Sequence, residues 1–271
     1  MMQLRQLSER NGMLAESVGF DPDVGPAAVV LASGKGGVGK SVLTVTLGSV
    51  LADSGSRTLL LDGSQNLGNL HILLGCSKPS RFADLLAGEV APEEMVSPVG
   101  DNLWLLPSDS GEDTVYSLTA IDRARLHYRL STLYSQFDAV VVDAGPSIED
   151  VVRLCTIRAS GLVVVTVAEP TALADAYAVI KIVNARVPGL SIGVLVNQVG
   201  DETEGEAAFD RLAHAGERFL DLDLSYIGAV PEDPALQSAA RSPDRCRQWG
   251  SLGKAAHALR GIVAEQPNFF A

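Results

Sequence analysis

At 271 residues, 46% of them hydrophobic and 20% charged, the chain is long and apolar enough to bury a substantial core, which excludes a disordered protein. Its 21 lysines and arginines against 33 acidic residues leave a formal net charge of -12 at pH 7, a field that repels nucleic acid at long range. The longest apolar runs, Leu162 to Ala168 and Ser191 to Val196, fall far short of the roughly 20 residues a membrane-spanning helix needs, and the N-terminal stretch lacks the apolar segment of a secretory signal, so a cytoplasmic protein is expected.

Residues 1–24 read as an N-terminal arm, separated from the first expected strand by the two prolines and the glycine of DPDVGP at 21–26. Short β-branched runs then alternate with stretches of helical spacing. Strands are expected at 27–33, 57–62, 103–107, 137–145, 161–167, 191–199 and 224–231, and helices at 40–54, 117–135, 148–158, 171–186, 204–220 and 250–264. This alternation predicts a doubly wound α/β fold: a mostly parallel sheet of about seven strands with helices on both faces. The domain is expected to span 25–249, with a C-terminal helix and tail at 250–271. Cys76, Cys155 and Cys246 stand far apart and read as isolated reduced thiols, and the four histidines show no metal-ligand spacing.

Between the first expected strand and helix lies GKGGVGKS, which fits the phosphate-loop pattern GxxxxGK[ST] in the strand, loop and helix context that pattern requires. Gly34, Gly36, Gly37 and Gly39 let the backbone, including that of Val38, fold its N–H groups around phosphate oxygens, and the following helix aims its positive end at the same anion. Lys40 is expected on the β- and γ-phosphates and the Ser41 hydroxyl on Mg²⁺. Asp143, closing the run FDAVVVD, is expected at the edge of a buried strand beside this loop, where its carboxylate holds the Mg²⁺ shell. Asp62 closes the second strand similarly, although a strand-terminal Asp also serves merely to cap a turn.

The lysine at the second position of GKGGVGKS resembles the deviant Walker A motif of the MinD/ParA ATPases. LLLDGSQNLGNLHILLG (59–75), AEPTALADAYAVIKIV (168–183) and EGEAAFDRLAHAGERFLDLDLSYIGAVPEDPAL (204–236) are similar to segments of the branch that holds the flagellar number regulator FlhG, also called FleN or YlxH. The resemblance runs roughly from the first strand to Pro243. It implies a P-loop fold that binds ATP or ADP with Mg²⁺ and forms a homodimer in the ATP state. By the same resemblance Lys35 reaches the partner subunit's phosphates, Gly145 donates from the switch segment, Asn197 contacts the base, and the loop of Pro231 to Asp233 lies on the adenine side. Without the family, Lys35 reads as a solvated lysine at a loop edge.

Two departures bear on chemistry. Where the family's second Asp of DAD orients the attacking water, this chain has Ser64, a neutral hydroxyl and a poor general base. Where the family has DTGAG, it has Asp143 to Ser147 with Pro146, which carries no N–H to donate to a γ-phosphate. ATP binding is therefore expected and hydrolysis weak or lost, either rescued by a neighbour such as Gln65 or absent altogether in a non-catalytic scaffold.

The arm keeps Gln3 and Leu7 of a motif that in flagellar relatives stimulates a signal-recognition-type GTPase, but lacks the rest. Arg241, Arg245, Arg247, Lys254 and Arg260 reverse the global charge locally, which keeps a ParA-type DNA-partitioning reading open against the overall acidity. Leu252, Ala256, Leu259 and Val263 form an apolar stripe of small residues. The resemblance implies peripheral contact with the inner face of the membrane through this helix, whereas the small residues favour packing on the domain. The expectation that emerges is a nucleotide-controlled dimerising switch with flagellar or other protein partners.

Overall fold

Buried parallel strands read as continuous apolar runs because helices cover both faces, and the central strands of this protein do so. In a computed structural model, which describes residues 26–64, 68–76, 90–107, 128–156, 159–241, 249–251 and 253–270, β1 (Ala28–Ala32), β2 (Thr58–Gly63) and β5 (Ala139–Ala144) are buried along their whole length. They join β3 (Ser97–Gly100), β4 (Leu103–Leu106), β6 (Ala159–Thr166), β7 (Ser191–Val199) and β8 (Ser225–Pro231) in one eight-stranded sheet of order β3-β4-β2-β5-β1-β6-β7-β8. Every neighbouring pair is parallel except the β3–β4 hairpin, so the fold is the expected α/β architecture with one strand added at an edge. That strand, SPVG, escapes a reading by apolar runs because its residues alternate between half-buried and exposed and include a proline, which only an edge strand tolerates.

The helices are α1 (Lys40–Asp53), a single turn α2 (Leu70–Leu73), α3 (Ile148–Thr156), α4 (Pro170–Arg186), α5 (Glu202–Leu220), α6 (Pro234–Ala240), α7 (Gly253–Glu265) and the short α8 (Pro267–Phe270), with a further helical stretch at 128–134. The expected helix over 117–135 is thus seen only from 128, its beginning lying outside the described residues, as do the N-terminal arm, Gln65, Arg245, Arg247 and Leu252. α1 buries ten of its residues, from Leu43 to Ala52, because it is sandwiched between the sheet and α7. α5 instead buries one stripe, Gly205, Ala208, Leu212 and Gly216, and starts where the Asp201 carboxylate accepts from Glu204 N at 3.0 Å. One core layer contains side chains of α3, α4 and α5, the other those of α1, α7 and α8.

α7 packs against α1 and the sheet. Ala255, Ala256, Leu259 and Ile262 are buried in the same cluster as Trp249, Phe270 and the apolar residues of α1. Arg260 Nη2 donates to Asp53 Oδ2 at 3.1 Å at the end of α1, and Gln266 Nε2 reaches the carbonyls of Tyr226 and Ile227 in β8 at 2.9 and 3.1 Å. Phe269 lies over β6 and β7 where Gly161 and Gly193 leave room, since a Cβ at Gly161 would come within 2.9 Å of its ring. Of the apolar stripe that the resemblance assigned to a membrane, Ala256 and Leu259 are buried in the protein interior and Val263 is half-buried against the same cluster. Among the described residues no helix is long and apolar enough to cross a membrane.

Candidate functional site

The sheet order changes direction at β1, whose successor β2 lies on one side and whose later neighbour β6 on the other, so a crevice opens beyond the carboxyl ends of β1 and its neighbours. The turn of residues 33–39 leaves β1 there and enters α1, with Gly39 at the N-cap. Gly37 and Gly39 hold φ of 83° and 89°, left-handed values that aim successive N–H groups inward. Among the described residues nothing lies within 4 Å of a Cβ placed at Gly36 or Gly37, so that side of the loop is open for a ligand. A Cβ at Gly34 would strike the backbone of Asp175 in α4, and one at Gly39 the Asn197 amide. The loop is therefore glycine-rich for two reasons: an accessible cradle on one side and close neighbours on the other.

Lys40 and Ser41 open α1, and the Lys40 ammonium pairs with Asp143 Oδ1. Asp143 is only 2% exposed; Thr44 Oγ1, one turn beyond Lys40, also donates to Asp143 Oδ1 at 3.2 Å. Thr44 was not singled out from the sequence, although its spacing from Lys40 on one helix face is the signal that could have found it. A cradle of N–H groups with a lysine suits a triphosphate, and the hydroxyl of Ser41 with the carboxylate of Asp143 supplies the hard oxygen ligands Mg²⁺ prefers.

Asp62 lies beside Asp143 in register on the neighbouring strand and is equally buried. Its Oδ1 accepts from Ser64 N at 3.2 Å and its Oδ2 from Leu70 N at 3.1 Å, tying the end of β2 to the start of α2. Of the two readings the sequence allowed, turn capping is the one this geometry displays. Burial pushes the Asp62 carboxyl above its ordinary range, and the negative charge of Asp143 adds to that, opposed by the two backbone N–H donors.

Lys35 reaches across the loop within its own chain: Nζ lies 2.6 Å from Glu169 Oε2 and 3.3 Å from Thr171 Oγ1, at the beginning of α4. Sequence reading missed both partners. Asn197, at the end of β7, donates from Nδ2 to the carbonyl of Val38 at 2.8 Å and so anchors the phosphate loop. Pro231 closes β8 and is half-buried. Asp233 Oδ1 accepts from Ala235 N and Leu236 N at 2.9 and 3.3 Å, while Oδ2 accepts from Ala255 N at 3.0 Å, so one carboxylate caps α6 and joins it to α7. Sequence reading missed this cap, for which Asp233 followed by Pro234 is the signal that could have found it.

Gly145 follows β5 directly and is packed tightly: a Cβ there would meet Asp150 Oδ2 at 2.5 Å and Ser64 Cα at 3.2 Å. Asp150, in the first turn of α3, binds Arg153 Nη2 through Oδ1 at 3.1 Å, and the same Nη2 donates to Gly63 O at 3.3 Å. Pro146 lines a groove with Ser33, Gly34 and the α4 residues Asp175 and Ala178, which puts the segment after β5 alongside the phosphate loop.

Residues 29–243 match the CobQ/CobB/MinD/ParA nucleotide binding domain. The chain is 30% identical over 235 residues to antiactivator FleN of Pseudomonas aeruginosa, covering 87% of this chain and 84% of that protein. It is 29% identical over 223 residues to the flagellum site-determining protein YlxH of Helicobacter pylori, covering 82% and 75%. The structure superimposes on the cell division ATPase MinD of Pyrococcus furiosus with a TM-score of 0.72, at 25% identity, over 90% of this chain and 99% of the other. With that family model matched over most of its length and a phosphate loop leading from β1 into α1, the chain belongs to the CobQ/CobB/MinD/ParA nucleotide-binding family.

Proposed function

We infer that the protein is an ATP-binding switch that dimerises with nucleotide and Mg²⁺ bound and thereby regulates flagellar number, placement or assembly, with slow hydrolysis. The observation that carries this reading is the loop itself: open over Gly36 and Gly37, backed by Asn197, and leading into Lys40 and Ser41 beside a buried Asp143. Lys40 holds one end of its exchange already, since a phosphate oxygen would replace the Asp143 carboxylate as its partner and leave that carboxylate to the metal shell. The flagellar part rests on the likeness to FleN and YlxH.

Lys35 is the residue assigned to the partner's phosphates. Its ion pair with Glu169 is 37% and 64% exposed on the two side chains, so water and salt screen it and little free energy is needed to release the lysine across an interface. Titration calorimetry with ATP and Mg²⁺ tests the site: Lys40→Ala abolishes binding, whereas Lys35→Ala keeps it and loses the ATP-dependent dimer in light scattering. Equal ATP affinity in wild type and Lys40→Ala rules the assignment out.

Ser64 favours a second reading, a scaffold that binds ATP without turning it over. Ser64, whose Cα lies beside Gly145, offers no carboxylate at the position just beyond β2. Phosphate release at a steady rate by the wild type would refute the scaffold.

A further inference from the structure

Three carboxylates and one hydroxyl stand at the end of β5. Asp143 Oδ1 receives Lys40 and Thr44, which leaves Oδ2 for the metal shell; Asp62 receives the N–H groups of Ser64 and Leu70, one on each oxygen; Ser64 is neutral. Asp150 has no such assignment. It is 4% exposed, and its Oδ1 is held by Arg153, but among the described residues Oδ2 accepts no hydrogen bond and is turned toward Gly145 and Ser64.

A helix-start role does not explain that orientation. Asp150 N donates to Ser147 Oγ at 3.1 Å, which makes Ser147 the cap of α3. A capping box would have the third residue's carboxylate return to the cap's own N–H, yet Asp150 gives one oxygen to Arg153 and presses the other over Gly145. Arg153 in turn is hooked on the carbonyl of Gly63, the residue before Ser64, so the Asp150–Arg153 pair spans from α3 to the end of β2. The guanidinium offsets the charge of a carboxylate that would otherwise be buried alone next to a site for a polyanion.

We propose that Asp150 is the water-orienting carboxylate of the slow ATPase, supplying from α3 what Ser64 does not supply from β2. This rests on the reading of the loop as an ATP site. The water oxygen bonds to the γ-phosphorus as the bond from that phosphorus to the β,γ-bridging oxygen breaks, and ADP leaves with the electron pair. Asp150 Oδ2 takes the water proton and releases it to solvent, so the products are ADP, inorganic phosphate and one proton.

The experiment measures ATP affinity by calorimetry, kcat and KM by phosphate release, and Tm, on the full chain. Asp150→Asn lowers kcat about 100-fold or more, in the range a positioned base contributes, and leaves ATP affinity unchanged. Adding Ser64→Asp to that variant restores turnover, because Ser64 Cα lies beside the same point. If Asp150→Asn fails to fold, Asp150→Glu, which keeps the charge and moves it by one methylene, still lowers kcat at least about 10-fold. Unchanged kcat in the folded variant overturns the proposal, as does a parallel loss of ATP affinity and Tm, which marks a structural role. A wild type that binds ATP without releasing phosphate overturns the proposal but leaves the switch standing; a wild type that binds no ATP overturns both.

Discussion

Leu259→Ala decides whether α7 is part of the core or a detachable membrane element. Leu259 is 2% exposed and sits in the cluster with Trp249, Ala255, Ala256, Ile262 and Phe270, against α1. The substitution removes three carbon groups at about 0.8 kcal/mol each. Because neighbouring side chains collapse only partly into the space, the residual cavity brings the loss to about 3 kcal/mol, inside the range of about 2–5 kcal/mol for buried leucines. At about 2 °C per kcal/mol for a domain of this size, Tm falls by roughly 6 °C in a calorimetric scan. Lys254→Ala, on the exposed side of the same helix, is the control and moves Tm by no more than roughly 1 °C. If Leu259→Ala leaves Tm within a degree of wild type while reducing sedimentation with anionic lipid vesicles, the helix does not belong to the core and the packing argument is wrong.

Three further outcomes are expected. Asp62 carries a carboxyl pKa raised above 3.8 in the folded protein, so the folded state holds that proton longer than the unfolded chain and this group's contribution to stability declines as pH rises from about 4. The Tm difference between Asp62→Asn and wild type accordingly moves in the variant's favour between about pH 4 and 7, and a difference that stays flat refutes the burial argument. Burial pushes the Cys155 thiol up to about 12, so at about pH 8 it stays unalkylated by iodoacetamide in native protein, as peptide mass spectrometry would read, and rapid labelling would contradict its placement. Asp233→Ala uncaps α6 and leaves the buried Ala255 N–H without its acceptor, costing about 2–3 kcal/mol in urea unfolding; a loss below about 0.5 kcal/mol would deny the double cap.

The seven strands with buried or alternating β-branched runs were legible because burial on both faces forces such runs, while β3 was hidden by its proline and by an edge position that demands little hydrophobicity. α6 was hidden too: PALQSAA is short and built of small residues, so no periodic stripe marks it. The phosphate loop was legible for a different reason, namely that left-handed φ values and close backbone neighbours can be met only by glycine at fixed spacing. What stayed illegible are contacts made by the sheet order. Lys35 and Glu169 are 134 positions apart, and only the placing of β6 next to β1 brings them together. Asp150 gave the pattern of an ordinary acidic first-turn residue, and its orientation toward Gly145 depends on how α3 is seated behind β5.

The missing side chain at Gly34 has a mechanical meaning. Because the turn lies directly on the backbone of α4 at Asp175, the two share a mounting with no cushioning atoms between them. From Asp175 to Arg186 α4 runs eleven residues, about 16 Å at 1.5 Å per residue, so a tilt of about 4° imposed where it touches the turn becomes a displacement of about an ångström at Arg186. A shift of the phosphate loop would thereby be passed to the far end of α4 by the helix itself, as by a rod held at one point.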